Sequence, residues 1–178
     1  MKFSEQLRKL ILKSEGFRTS PYLDVANIPT IGVGATFYQN GKRVTMKDKQ
    51  LTVEQVNDLL DYHLSLFHKQ ILPFIPAGLK QNQVEALIAF AFGNGVTALK
   101  NSTLLKVIKN NPNDKEEIKT QFLRWVNAKK NGVLTFFQNL QNRRLDEIDL
   151  YFSDSFFSIQ NLLLGVTVFF YSILTFTI

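Results

Sequence analysis

The stretch SEGFRTSPYLDVANIPTIGVGAT, from Ser14 to Thr36, contains only two acidic residues, Glu15 and Asp24. Before it, apolar residues recur at helical spacing after Ser4, which is a favourable N-cap residue. We expect this helix to end at Gly16, because glycine is the usual residue just past a helix end. Prolines and glycines then interrupt any longer helix, and the β-branched and aromatic residues between them favour strands. The stretch therefore predicts a change from helix to sheet, with one carboxyl group at the helix end and one beside the strands.

The predicted elements further along the chain indicate the fold class. Residues 17–46 are expected to form a small antiparallel sheet with a hairpin turn at Asn40-Gly41. Thr52 and Gln55 have the spacing of a capping box, which predicts a helix start. Helices are expected over residues 52–71, 83–92, 102–110, 114–126 and 134–152. Because the strands are grouped ahead of most helices, the fold class is α+β: an N-terminal helix and a small antiparallel sheet followed by a helical bundle.

The composition excludes several kinds of chemistry. The chain has 178 residues, no cysteine and two histidines. Disulfides and thiolate metal sites are therefore excluded, and a histidine-based metal site or a histidine-dependent triad is disfavoured. We expect no metal and no organic cofactor. The net charge of +6 favours an anionic partner, such as nucleic acid, anionic lipid or bacterial cell wall. The sequence has no recognised nucleic-acid motif, so we expect no nucleic-acid partner.

The C-terminal segment differs from the rest of the chain. No charged residue follows Asp154, and residues 162–178 are almost wholly apolar. We therefore divide the chain into a folded domain over residues 1–153 and an apolar tail over residues 154–178. As a helix, residues 156–178 would reach about 35 Å, close to the ~30 Å hydrocarbon core of a bilayer. A membrane anchor, a helix packed on the bundle and a product of an altered reading frame remain alternatives for this tail.

The two lone carboxyl groups form a candidate catalytic pair. Glu15 lies where the negative end of the helix dipole and the apolar neighbour Phe17 favour the protonated form that a general acid requires. Asp24 lies in a turn, where a solvated carboxyl group stays ionised, and Thr30 offers a hydroxyl group that can hold a water. Two carboxyl groups in unlike environments are typical of glycosidic bond cleavage. The structural alternatives are a solvated surface glutamate and an aspartate that bonds its own turn.

These residues carry a resemblance to a known family. Glu-Gly-Phe at 15–17, Tyr22, Asp24 and the run Thr30–Gly34 resemble the signature of phage-type lysozymes, the endolysin family of glycoside hydrolase family 24. The order and spacing of Glu15, Asp24 and Thr30 match that signature. Further segments resemble the family's later helices, at residues 81–92, 101–105, 122–125 and 141–147. The resemblance covers roughly residues 3–153.

The resemblance implies a lysozyme-like fold and hydrolysis of the β-1,4 bond between N-acetylmuramic acid and N-acetylglucosamine in bacterial peptidoglycan. By this resemblance the chain is similar to an inverting enzyme, in which Glu15 protonates the leaving oxygen, Asp24 activates water and Thr30 helps to place that water. Either Arg143 or Arg144 would neutralise charge beside Glu15. The implied protein is a monomer that acts on the wall from the host cytoplasm during lysis, with membrane attachment through residues 156–178 as an alternative.

Three positions depart from the family pattern. Ala35 stands where the family often has histidine, Asn27 where a turn glycine is usual, and Gly93 where an amide side chain is common. Asparagine tolerates a left-handed backbone, so we expect the turn at Asn27 to survive. Gly93 is expected to weaken one sugar contact. The alternatives to an active enzyme are a catalytically impaired wall-binding relative and a protein that damages membranes through its tail.

Overall fold

The computed structural model describes residues 1–130 and 132–153 of the chain. The predicted anchor over residues 156–178, and the rest of the tail that begins at residue 154, lie outside these residues. Within the described part, no helix is long and apolar enough to cross a bilayer.

The described residues form seven helices and four strands, which confirms the α+β fold class. In chain order these are α1 (Glu5–Glu15), β1 (Arg18–Leu23), β2 (Pro29–Gly32), α2 (Val53–Ile71), α3 (Gln81–Asn94), α4 (Val96–Asn101), α5 (Thr103–Asn110), α6 (Lys115–Leu123), β3 (Asn127–Lys130), β4 (Val133–Phe136) and α7 (Gln138–Tyr151).

Helix α1 begins and ends where the sequence predicts. The Oγ of Ser4 accepts a hydrogen bond from the backbone N–H of Leu7 at 3.1 Å, and Gly16 closes the helix with φ of 80°. A second anchor ties its start to α3, because the buried carboxylate of Glu85 accepts hydrogen bonds from the N–H and the Oγ of Ser4. These bonds fix the axis of α1, and so the direction in which Glu15 leaves it.

The first sheet is smaller than predicted. Strands β1 and β2 pair antiparallel, with Tyr22 opposite Thr30. Beyond β2 the chain forms only isolated bridges, one of which joins Phe37 and Arg43 around the predicted turn at Asn40-Gly41. Gly41 has φ of 80°, which explains why glycine suits this turn.

Helix α3 forms the centre of the domain. Its residues from Glu85 to Ala91 are all buried, and it packs against α1, α2 and α7. The helix predicted over residues 83–92, with Gly93 and Gly95 closing it, is longer than expected: α3 runs through Gly93 to Asn94, and Gly95 at φ of 89° is its cap. A single glycine weakens a helix without ending it.

The predicted helix over residues 134–152 is wrong in its first part. Strands β3 and β4 form an antiparallel hairpin, and α7 begins only at Gln138. The reason is local: residues 133–136 are rich in β-branched and aromatic side chains, which favour strand, and Gly132 supplies the turn with φ of 82°. The helix predicted over residues 114–126 likewise ends earlier, at Leu123.

Candidate active site

Glu15 is the last residue of α1, and its side chain is 27% exposed. Its Oε1 accepts a hydrogen bond from Nη1 of Arg143 at 2.5 Å, which forms an ion pair between α1 and α7. The same guanidinium donates through Nη2 to the carbonyl oxygen of Ala89 on α3, at 3.3 Å. Of the two candidate arginines, Arg143 is therefore the one in contact with Glu15.

Arg144 lies in a different environment, with 1% of its surface exposed. Its Nη2 donates to Oε1 of Glu147 at 2.6 Å, and its guanidinium lies 5.0 Å from the ring centre of Phe90. Burial lowers the pKa of Arg144, and the nearby charge of Glu147 raises it part of the way back. Arg144 thus belongs to the core beneath the candidate site and does not touch Glu15.

Glu147 joins the two arginines, and the sequence analysis did not assign it to the site. Its carboxylate is wholly buried, and Oε1 also accepts a hydrogen bond from Nε of Arg143 at 3.3 Å. Burial raises the pKa of Glu147 to about 7, against the opposing charges of Arg144 and Arg143. The available sequence signal was the spacing of three and four residues on one helix, which places these side chains on neighbouring faces.

Asp24 follows β1 in a tight turn. Its Oδ1 accepts hydrogen bonds from the backbone N–H groups of Ala26 at 2.8 Å and Ile28 at 2.9 Å. Asn27 has φ of 59°, which confirms that asparagine supports the left-handed position in this turn. The turn-forming alternative is therefore realised, but it uses only one carboxylate oxygen. Oδ2 accepts no hydrogen bond from the described residues, which leaves it available to water.

Thr30 lies on β2 and is only 2% exposed. Its Oγ1 donates to the carbonyl oxygen of Ile28 at 2.9 Å, so the hydroxyl hydrogen is engaged within the Asp24 turn. The lone pairs of that oxygen remain able to accept a hydrogen bond. Thr30 therefore links the geometry of the Asp24 turn to the start of β2.

Tyr22 lies on β1, opposite Thr30, between Glu15 and Asp24 in the chain. Burial raises the pKa of its phenol, Arg18 lowers it, and the charges of Glu15 and Asp24 both raise it again. Tyr22 thus lies on the strand that joins the end of α1 to the Asp24 turn.

A cavity of about 280 Å³ begins beside Gly34. Its lining is mostly apolar and aromatic with three polar side chains, and comprises Val33, Gly34, Thr36, Phe37, His63, Leu66, Phe67, Gln70 and Phe92. Apolar walls with a few polar groups are typical of small-molecule and sugar pockets. The residues that the structure describes bring together no group of three histidine or acidic side chains suited to a metal ion.

Comparison with known proteins gives consistent matches. A family model described as phage lysozyme matches residues 12–147. The chain is 33% identical over 151 residues to an endolysin of Acyrthosiphon pisum secondary endosymbiont phage 1, which covers 85% of this chain and 98% of that protein. It is 31% identical over 149 residues to a SAR-endolysin of Escherichia phage Mu, covering 84% and 80% of the two chains. Among solved structures, an endolysin from Escherichia coli O157:H7 phage FAHEc1 superposes with a TM-score of 0.75 at 29% identity, over 86% of this chain and 94% of that one.

Proposed function

The chain belongs to the phage lysozyme family, and on that premise we propose that it is an endolysin that cleaves the β-1,4 bond between N-acetylmuramic acid and N-acetylglucosamine in peptidoglycan. The observation that carries this proposal is the ion pair between Glu15 and Arg143 at the end of α1, with Asp24 held in the turn after β1 by its Oδ1. An acid and a base on opposite faces of a sugar ring are sufficient for hydrolysis without a metal or an organic cofactor.

The proposed mechanism is a single displacement with inversion. Glu15 donates its proton to the glycosidic oxygen as the bond from that oxygen to the anomeric carbon breaks. Asp24 accepts a proton from the water that attacks the anomeric carbon from the opposite face, and Thr30 helps to place that water. This role requires the two carboxyl groups to lie roughly 6.5–9.5 Å apart. Arg143 stabilises the negative charge that Glu15 carries after proton transfer.

The proposed setting is the bacterial wall, reached from within the host cell. The net charge of +6 supports association with an anionic polymer, and a monomer is sufficient for the reaction because every proposed catalytic residue comes from one chain. Attachment to a membrane through residues 156–178 remains a separate proposal that rests on the sequence of that segment.

The decisive test is Glu15→Gln, which keeps the shape of the side chain but cannot donate a carboxylic proton. We expect hydrolysis to fall by about 10²–10⁴-fold, as for the loss of a general acid. The assay is clearing of permeabilised bacteria together with release of new reducing ends. Glu5→Gln, at the exposed start of the same helix, is the matched control and should retain activity.

The outcomes separate the alternatives. Binding to walls without clearing by the unmodified protein would favour a catalytically impaired relative. Lysis that survives Glu15→Gln would favour membrane damage. Inversion of a β-linkage must first produce the α-anomer at the new reducing end, which proton NMR of the early product detects, whereas a retaining enzyme would first produce the β-anomer.

A further inference from the structure

The guanidinium of Arg143 lies at the meeting point of three helices. It donates from Nη1 to Glu15 on α1, from Nη2 to the carbonyl of Ala89 on α3, and from Nε to Glu147 on its own helix, α7. Each of its nitrogens therefore has an acceptor in a different place. A planar group held at three corners has little freedom to turn, so its position against Glu15 depends on the other two contacts.

Glu147 holds this guanidinium from the buried side. Its Oε1 is shared between Nε of Arg143 and Nη2 of Arg144, and the carboxylate has no exposed surface. The ion pairs of the described residues give Arg144 no other acidic partner. Removing one member of a buried ion pair leaves the other uncompensated, so a change at Glu147 acts on both arginines.

Gly93 provides the space in which Arg143 lies. A Cβ atom added to Gly93 would lie 2.6 Å from Nη2 and 2.7 Å from Nη1 of Arg143. The backbone of Gly93 is helical within α3, and its φ is not among the positive values found at other glycines, so conformational freedom is not the reason for glycine here. The guanidinium occupies the volume that any larger residue at position 93 would take.

We propose that Glu147 and Gly93 are positioning residues for the acid step: Glu147 holds Arg143 from beneath, and Gly93 leaves room for its guanidinium to reach Glu15. This inference rests on the proposed function, since it assigns Glu15 the acid role. Neither residue touches the substrate in this scheme; both act through Arg143.

The charges around Glu147 give the direction of the effect. The cluster holds two acids, Glu15 and Glu147, and two arginines, Arg143 and Arg144. The facing helix α3 contributes the Ala89 carbonyl and the Phe90 ring, which do not titrate. From α1, Glu15 contacts the cluster through Arg143, and Lys13 is paired with Asp146 of α7. Among the described residues, no charged side chain of α6 forms an ion pair with Glu147. Without the negative charge of Glu147, the cluster beside Glu15 carries an excess of positive charge.

The first experiment compares Glu147→Gln with Asp149→Asn in the full chain. Asp149 is an exposed acid on the same helix and outside the cluster, so its replacement controls for the loss of one negative charge. For Glu147→Gln we expect the alkaline limb of the kcat–pH profile to move to lower pH by about 0.5–1 unit, with KM nearly unchanged. The Asp149→Asn profile should match that of the unmodified protein. A folded Glu147→Gln variant with an unmoved alkaline limb would overturn the role of Glu147.

The second experiment uses Gly93→Ala, which keeps the cluster's charges and remains informative if Glu147→Gln does not fold. We expect kcat to fall by about 10–10²-fold, because a shift of the order of 1 Å in a positioned group has effects of that size. Adding Arg143→Lys to Gly93→Ala should recover part of this loss, since the narrower ammonium can pass the added methyl group. Unchanged kcat and pH profile in Gly93→Ala would overturn the role of Gly93. Absence of hydrolysis by the unmodified protein would instead contradict the proposed function.

Discussion

At the scale of single residues, the one carboxylate of Asp24 can both hold its turn and serve as the proposed base. Oδ1 accepts two backbone hydrogen bonds that hold the turn, whereas Oδ2 accepts no hydrogen bond from the described residues. Turn formation and catalysis are therefore not competing explanations for this residue. The turn fixes the direction of the side chain, and this fixed direction is what a base that activates one water requires.

A substitution can separate the turn-forming role of Asp24 from its proposed role as the base. In Asp24→Asn the amide oxygen still accepts from Ala26 and Ile28, so we expect the melting temperature to stay close to that of the unmodified protein. The amide cannot accept a proton from water, so hydrolysis should fall by about 10²–10⁴-fold. Asp114→Asn, the same exchange at the N-cap of α6, is the control and should retain hydrolysis. Full hydrolysis by Asp24→Asn would contradict the assignment of Asp24 as the base.

The candidate carboxyl groups were predictable from sequence because their signals are local. Glu15 and Asp24 lie within one short stretch, and the helix end and the turn that present them are encoded by neighbouring residues. The choice between Arg143 and Arg144 was not predictable in this way. Adjacent residues on a helix point about 100° apart, and which of them meets α1 depends on how α7 is rotated against α3. That rotation follows from packing between distant segments.

At the scale of elements, the β3–β4 hairpin shows that one local sequence pattern is compatible with both strand and helix. The run Val133–Phe137 is short and apolar, and such a run does not distinguish strand from helix by periodicity. The turn glycine, Gly132, was the better signal. Of the two glycines expected to close α3, Gly95 is the cap, whereas Gly93 lies inside the helix and leaves space for Arg143.

His63 joins α2 to the loop after β2. Its Nε2 lies 3.0 Å from the carbonyl oxygen of Phe37, and its ring packs edge-on against Phe37 and Tyr62. Burial lowers the pKa of His63, and the hydrogen bond with Phe37 raises it part of the way back. Because the neutral form is favoured in the fold, this histidine contributes stability above its unfolded pKa of about 6.5, and that contribution is lost as the pH falls below it.

The resulting prediction concerns acid stability. We expect the melting temperature to decrease as the pH is lowered from about 6.5 to 5, and His63→Gln to decrease less over the same window. His68→Gln is the comparison, because burial also lowers the pKa of His68 but that side chain is less enclosed. His68→Gln should reduce the pH dependence of the melting temperature less than His63→Gln does. If the melting temperatures of His63→Gln and the unmodified protein decrease equally across this pH range, protonation of His63 does not destabilise the fold.

At the scale of the whole molecule, the excess of positive charge predicts the salt dependence of wall association. Exposed charges are screened beyond about 8–10 Å at physiological ionic strength, so the attraction of a chain with net charge +6 to an anionic wall should weaken as salt is added. The measurement is sedimentation of the Glu15→Gln variant with purified walls over a salt series, so that binding is followed without cleavage. A bound fraction that is independent of salt would exclude a long-range electrostatic contribution.

The described fold closes on itself before the tail begins. Nδ2 of Asn82 on α3 donates to the carbonyl oxygens of Leu150 at 3.2 Å, Tyr151 at 2.8 Å and Ser153 at 2.8 Å. Tyr151 is buried against Phe122. These contacts tie the end of α7 to the central helix as far as Ser153, and we therefore propose that the domain folds without residues 154–178.

The last prediction is therefore that truncation after Ser153 leaves an intact and lytic domain. The melting temperature and the rate of clearing should stay close to those of the full chain, because the Asn82 bonds to the end of α7 are retained.

If residues 156–178 anchor the protein, the full chain should sediment with bacterial membranes and resist extraction by alkaline carbonate, whereas the truncated chain stays in the supernatant. A third chain, in which a polar linker of equal length replaces the tail, controls for length. The acidic flank and the absence of Lys or Arg after Arg144 provide little topology signal for such an anchor. Unfolding of the truncated chain would show instead that the tail belongs to the core, and a full chain found only in the supernatant would exclude the anchor.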